Sequence, residues 1–256
     1  MQLITKSNNI MDIKTAREIN DIRVAAKISS EVLEIVLKKI HPGMSTAQLD
    51  EIAHKEIISR KSKPAFLGYR GYPASICVSI NNELVHGIPS ESKMLKEGDL
   101  VSVDLGVNHK GFYGDIAETV PVGKISMSAQ KLMDVTYRSF QQAYKNACCG
   151  KRIGDISFSI QSYVEQNGFS VVRDYCGHGI GRELHEKPEV PDFGRAGSGQ
   201  ELIQGMVIAI EPMVCEGDWR LRILSDGWTA VTLDNKLCAH YERMVLITEN
   251  GPEILN

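Results

Sequence analysis

Gly98-Asp99-Leu100-Val101-Ser102-Val103-Asp104-Leu105-Gly106-Val107 is the stretch from which the fold of this chain is read. Side chains alternate along an extended backbone, so Val101, Val103, Leu105 and Val107 share one face while Ser102, Asp104 and Gly106 share the other. The aliphatic face asks for a core to cover it, and a carboxylate in such surroundings asks for a partner. Gly205-Met206-Val207-Ile208-Ala209-Ile210-Glu211 repeats the design, with a carboxylate six residues after the glycine in both.

The flanking sequence repeats as well. Asn108 to Gly111 makes a turn, and Phe112 to Val120 returns as a second strand carrying Asp115. Upstream, Thr15 and Glu18 read as a capping box opening a long amphipathic helix over Ala16 to Ile40, which Pro42-Gly43 stops. Ser45 and Gln48 open a second helix that ends near Lys61. Ser75 to Ile80 is strand-like, an Asn81-Asn82 turn follows, and then comes His86-Gly87-Ile88-Pro89. In the second half, helices over Ser128 to Cys149 and Asp155 to Asn167 precede a strand over Phe169 to Asp174. His178-Gly179-Ile180 then echoes His86-Gly87-Ile88, and a last strand pair, Trp228 to Leu233 and Tyr241 to Thr248, carries Glu242.

Two echoes in the same order predict an internal repeat, with halves of about 13–125 and 126–250 in one unit spanning 13–256. The class is mixed α/β, of the α+β kind. Related halves would set their hairpin carboxylates facing one another across a shared seam, where ligand sites commonly form. Residues 1–12 are polar and aperiodic, a loose lead-in within which Met11 could serve as an alternative start.

Composition narrows the function classes. Of 256 residues, 43% are hydrophobic and 24% charged, as in an ordinary soluble globule. A net charge of -3 lacks the basic excess of a general nucleic-acid binder. No apolar run is long enough to span a membrane, and no secretory h-region follows Lys6. Cys77, Cys148, Cys149, Cys176, Cys215 and Cys238 contain no CxxC pair, so most are expected to be reduced, buried thiols of a cytoplasmic protein. HExxH, GxSxG and Walker A patterns are absent, and Gly194 to Gly199 reads as a flexible loop rather than a phosphate cradle.

Tyr175-Cys176-Gly177-His178-Gly179-Ile180-Gly181-Arg182-Glu183-Leu184-His185 sets two histidines among alternate glycines, where the backbone can turn tightly and admit a ligand closely. The layout brings His178 together with Asp104, Asp115, Glu211 and Glu242. Four carboxylates buried beside one imidazole repel one another and lose hydration, so they demand cations at their centre. Formally they match two divalent ions. Oxygen-rich coordination with one imidazole suits Mn, Fe, Co or Zn rather than a thiolate-type structural zinc.

Val85-His86-Gly87-Ile88-Pro89, Asp104 with Asp115 in Gly114-Asp115-Ile116-Ala117, Tyr175 to Arg182, Leu184-His185-Glu186, Ile210-Glu211-Pro212-Met213 and Tyr241-Glu242 closely resemble the type 1 methionine aminopeptidases. The resemblance runs from about Ile13 to Leu255. It implies the pita-bread fold, an antiparallel sheet covered by helices in two halves related by a pseudo-twofold axis. It implies that Asp104 and Asp115 ligate one metal, that Asp115, His178, Glu211 and Glu242 surround the other, and that Asp115 and Glu242 bridge the pair. A water bridging the ions would attack the peptide carbonyl, with Glu211 shuttling its proton. His185 would donate to the carbonyl or tetrahedral oxygen, and His86 would help the amine leave. Tyr69, Tyr72, Cys77 and Trp228 match the walls of the methionine pocket, with Phe66 and Leu184 nearby. The implied partners are Met-first peptides and nascent chains with small second residues, reached by a monomer in transient contact with the ribosome.

The first cysteine is Cys77, which leaves no amino-terminal zinc finger, and the short run from His185 to Glu211 has no room for the helical insertion of type 2 relatives. The nearest rival is a proline-specific aminopeptidase or dipeptidase of the same fold, which carries an extra amino-terminal domain. A non-catalytic pita-bread binding protein is the rival of another class. Loss of metal ligands would mark it, and all five matching positions are intact.

Overall fold

A computed structural model describes residues 13–256. The lead-in expected over 1–12, and the start at Met11, lie outside the described residues. In chain order the elements are α1 (Ala16–Leu37), α2 (Thr46–Ser59), β1 (Lys63–Pro64), β2 (Cys77–Ile80), β3 (Glu83–Val85), β4 (Leu100–His109) and β5 (Phe112–Pro121). There follow α3 (Met127–Asn146), α4 (Ile153–Gln166), β6 (Ser170–Val171), β7 (Cys176–Gly179), β8 (Glu186–Pro191) and β9 (Val207–Ile210). The chain closes with β10 (Met213–Cys215), β11 (Leu221–Ile223), β12 (Ala230–Thr232), β13 (Cys238–Thr248) and β14 (Gly251–Ile254).

The two capping boxes form as the sequence predicts. Thr15 and Glu18 satisfy the first free N–H groups of α1, and Ser45 and Gln48 do the same for α2. Helix α1 ends at Leu37 rather than Ile40, because the backbone tightens there into turns such as Lys39 N–H to Val36 C=O. The strand expected over Phe169 to Asp174 shrinks to Ser170–Val171, and that expected from Trp228 starts at Ala230, since Trp228 lies in a turn.

Strands β4, β5, β13, β9 and β7 are consecutive neighbours in a mainly antiparallel sheet, with β2 on β4 and β8 on β7. Helices cover one face. Val101, Val103, Leu105, Val107 and Ile116 pack with α1 and α2, while Ile208, Ile210 and Val245 pack with α3 and α4. The ring of Tyr241 on β13 meets Phe140 of α3 with centroids 5.2 Å apart. By strand alternation, the residues between these apolar ones face away from the helices, and there the carboxylates collect. β3, β11 and β12 form a separate small sheet that carries the turn bearing Trp228.

All six cysteines are free, but only Cys77, Cys215 and Cys238 are buried. Cys149 is exposed and Cys148 and Cys176 are half-buried, so the expectation that most are buried fails. The adjacent pair follows the end of α3, where the chain turns at the surface.

Candidate metal centre and active site

Strand register builds the centre. Asp104 on β4 lies opposite Ala117 on β5, and Glu242 on β13 lies opposite the same Ala117 from the other side. Cys77 on β2 continues the row beyond Asp104. Residues in one row across a sheet point to one face, so both carboxylates rise on either side of a methyl group that leaves room between them. Asp115, two residues before Ala117, projects from the same face. Asp115 and Glu242 are 3% and 2% exposed.

Among the described residues, no hydrogen bond reaches Oδ1 of Asp104, Oδ1 of Asp115 or Oε1 of Glu242, all of which are sealed from solvent. Burial holds the Asp104 carboxyl up to about 7. Burial first, and then the charges of Glu242 and Asp104, push Asp115 well above the ordinary carboxylate range. Glu242 is raised by burial and by Asp104, and Glu211 by burial and by Glu242 and Asp115.

His178 enters from β7, where it lies opposite Ala209 of β9. Its Nδ1 is 2.9 Å from the carbonyl oxygen of Gly179. A carbonyl only accepts, so Nδ1 carries the proton and Nε2 presents a lone pair. That nitrogen lies 3.6 Å from Oε1 of Glu211 and 3.8 Å from Oδ2 of Asp115. Burial lowers the basicity of His178, which keeps the ring neutral. A lone pair facing carboxylate oxygens, beside three unpartnered oxygens, leaves acceptors with no donor among them. A cation satisfies such a set. Asp115, His178 and Glu242 each offer a ligand atom, and these lie within 4.8 Å of one another. The thiol of Cys77 is pushed well up by burial and by Asp104, so it stays protonated and does not turn the site toward thiolate ligation.

Beside these groups opens a cavity of about 310 Å³, and every residue singled out from the sequence lines it. Leu184, only loosely assigned from sequence, is buried to 1% exposure there. Tyr72 donates to the carbonyls of Ile76 and Gly87 at 3.1 and 3.0 Å, and its ring meets Trp228 edge-on at 5.2 Å. His86 sits between Tyr175, at 5.2 Å, and Trp228, at 6.3 Å. The ring of His185 lies 4.3 Å from that of His178. Burial brings His86 down to about 4, and burial with neighbouring His178 brings His185 down to about 3, so both rings are neutral near pH 7.

Two buried polar residues near the centre were not singled out from the sequence. His240 is 2% exposed, has no hydrogen-bond partner for either ring nitrogen among the described residues, and brings Nε2 to 3.8 Å from Oε2 of Glu211. Alternation could have found it, since it precedes Glu242 by two residues on one strand. Asp192 is fully buried, accepting from the Met213 N–H at 2.8 Å through one oxygen while the other has no partner among the described residues. Nothing in its sequence context signals this.

Residues 20–249 match the model of metallopeptidase family M24. The chain is 52% identical to a methionine aminopeptidase of Clostridium perfringens over 95% of its own length and 97% of the relative's. It is 48% identical to methionine aminopeptidase 1 of Bacillus subtilis, over 94% and 97% of the two chains. The crystal structure of a Thermotoga maritima methionine aminopeptidase superposes with a TM-score of 0.94 at 48% identity, covering 95% of this chain and 98% of that one.

Proposed function

The chain belongs to metallopeptidase family M24, and from that premise we propose that it is a metal-dependent aminopeptidase that removes methionine from the N-terminus of peptides and nascent proteins. The fold is the pita-bread α/β architecture of such enzymes. The single observation that carries the reading is the row Asp104, Ala117, Glu242 with Asp115 beside it, closed by the lone pair of His178. Relatives matched over nearly their whole length favour this over a proline-specific peptidase with an extra domain.

Asp104, Asp115, His178, Glu211 and Glu242 would hold two divalent cations drawn from Co, Mn, Fe and Zn, and Asp115 and Glu242, with His178, are the residues whose ligand atoms lie together. When bound, such ions acidify water and polarise a peptide carbonyl. Glu211, which stands 3.6 Å from the His178 ring nitrogen at the edge of the centre, would take a proton and pass it toward the leaving amine. His185, as a neutral imidazole, donates to the carbonyl oxygen as charge grows on it, and His86 serves the scissile nitrogen. Tyr69, Tyr72, Cys77 and Trp228, with Phe66 and Leu184, enclose the methionine side chain in an apolar, polarisable wall. The substrate's free amine would reach the acidic groups of the centre, which line the same cavity, and this confines the reaction to the first residue.

On the same reading residues 13–256 form one catalytic unit of two related halves, supported by the order β4, β5, β13, β9 about the central β5–β13 seam. The protein works as a monomer in the cytoplasm, meeting nascent chains through a passing contact with the ribosome. No described helix is long and apolar enough to cross a membrane. The test supplies metal-free protein with Mn, Co or Fe and follows cleavage of Met-Ala peptides beside Pro-first and Leu-first analogues. The expected result is turnover of the Met-first peptides alone, lost on exhaustive chelation. Activity that survives chelation overturns the metal mechanism.

A further inference from the structure

The turn from Phe66 to Tyr72 is built to hold one side chain. Gly68 and Gly71 take positive φ, at 81° and 90°, and Arg70 between them is held at 49°, in the left-handed region that a side chain resists. Backbone bonds close the turn on itself. Gly68 N–H donates to Tyr72 C=O at 2.8 Å, Tyr69 N–H to Phe66 C=O at 2.9 Å, and Tyr72 N–H back to Tyr69 C=O at 2.9 Å. The outcome is a Tyr69 hydroxyl 2.8 Å from Nδ1 of His185, the two rings 5.3 Å apart.

His185 is also fixed from its backbone. One carboxylate oxygen of Glu186 accepts from the N–H groups of Arg182 and Glu183, at 2.7 and 3.0 Å, and the other pairs with the buried ammonium of Lys14. The loop bearing His185 is thus tied down across the five residues Arg182 to Glu186, and among the described residues its ring is met by one hydroxyl, that of Tyr69. We infer that Tyr69 is a positioning residue whose hydroxyl donates to Nδ1 of His185 and so fixes the tautomer with the proton on Nε2.

The chemistry favours that direction. A phenol delocalises its lone pairs into the ring, so it donates better than it accepts, whereas a neutral imidazole has one strongly basic lone pair. With Nδ1 filled, Nε2–H is the one ring donor left for a substrate oxygen. With Nδ1 protonated instead, Nε2 would face that oxygen as a second acceptor and repel it. The inference rests on the donor role proposed for His185, and adds to Tyr69, otherwise a wall of the methionine pocket, a task in turnover rather than in affinity.

The experiment compares the full chain with Tyr69→Phe, which keeps the ring and removes the hydroxyl. Nitrogen-15 spectra of the zinc-loaded protein report which ring nitrogen of His185 carries the proton. Steady-state kinetics on a Met-Ala peptide separate kcat from KM. We expect Nε2–H in the parent, a shift toward the other tautomer or a mixture in the variant, and a loss of about tenfold in kcat with KM within about twofold, the size of one hydrogen bond. The double variant Tyr69→Phe/His185→Ala should turn over no more slowly than His185→Ala alone, because the hydroxyl would have nothing left to orient. An unchanged tautomer in Tyr69→Phe, or a rise confined to KM, overturns the inference. If instead the tautomer shifts while His185→Ala retains full turnover, it is the donor role of His185 that fails.

Discussion

The two walls of the cavity are built by different means. On the carboxylate wall, Asp104, Asp115 and Glu242 stand on β4, β5 and β13, and register alone puts them side by side. On the opposite wall, His86, Tyr69, Trp228 and His185 stand on turns. His86 is held at a φ of 59°, and Trp228 is placed by an Asp226 side chain that accepts from the backbone N–H of Trp228 and Thr229. A sheet fixes positions through many equivalent hydrogen bonds, so it tolerates the mutual repulsion of buried acids. A turn fixes position through a few particular bonds, so it is the cheaper place to lose geometry. If this contrast is right, damage to the first wall removes metal, and damage to the second removes rate while metal stays.

Asp115→Asn should give the largest effect, since it keeps the shape and removes a charge from the middle of the carboxylate wall. Metal retention should fail, and kcat/KM should fall about a thousandfold, or about 4 kcal/mol. Without metal the sign reverses for stability. The parent then carries mutually repelling buried acids, so the metal-free variant should melt a few degrees above the metal-free parent. Calorimetry in chelator beside elemental analysis reads both effects. A variant that keeps its metal, or that melts lower when stripped, contradicts the account.

Ala117→Val is the sharper and smaller test. Ala117 is fully buried, and its methyl is all that separates Asp104 from Glu242 along their row. Valine suits a strand, so the sheet should persist. Its extra methyls would occupy the space between the acids and weaken metal binding by up to about a hundredfold, the range seen when the surroundings of ligands are disturbed. Titration calorimetry with Mn measures this directly. An unaltered affinity would mean that the row does not define the site.

The same contrast explains what the sequence made legible. Asp104 is legible through alternation, because a carboxylate among valines has one face to go to, while Asp115 and Glu242 are legible only as carboxylates carried by the expected hairpin strands. The capping boxes are legible through local chemistry that needs no knowledge of the rest of the fold. His240 is legible by the same alternation, since it lies two residues before Glu242 on one strand, but it belongs to none of the motifs that mark the site. The turn around Tyr69 showed only as a cluster of glycine, tyrosine and proline. Its meeting with His185 joins residues 116 positions apart, and no local pattern encodes that distance. Helix and strand ends were likewise misplaced by several residues where tertiary packing, not propensity, decides the last turn.

The smallest effect is expected from Gly87→Ala, on the wall made of turns. The backbone of Gly87 is gripped from three sides. Its carbonyl accepts from Val78 N–H at 2.9 Å and from the Tyr72 hydroxyl at 3.0 Å, and its N–H donates to Ser79 Oγ at 3.1 Å. A Cβ there would stand 2.3 Å from the Val78 carbonyl oxygen, a backbone atom that cannot step aside by rotation. The strain must move the segment, and His86 precedes it in a left-handed conformation with no slack to absorb the shift. The carboxylate wall lies on other strands and should not follow. The variant should therefore bind Mn as the parent does, yet lose about tenfold in kcat on a Met-Ala peptide, the scale of a displaced hydrogen-bonding group. Loss of metal together with rate would show that the two walls share one framework, and the distinction between register and turn would then have to be given up.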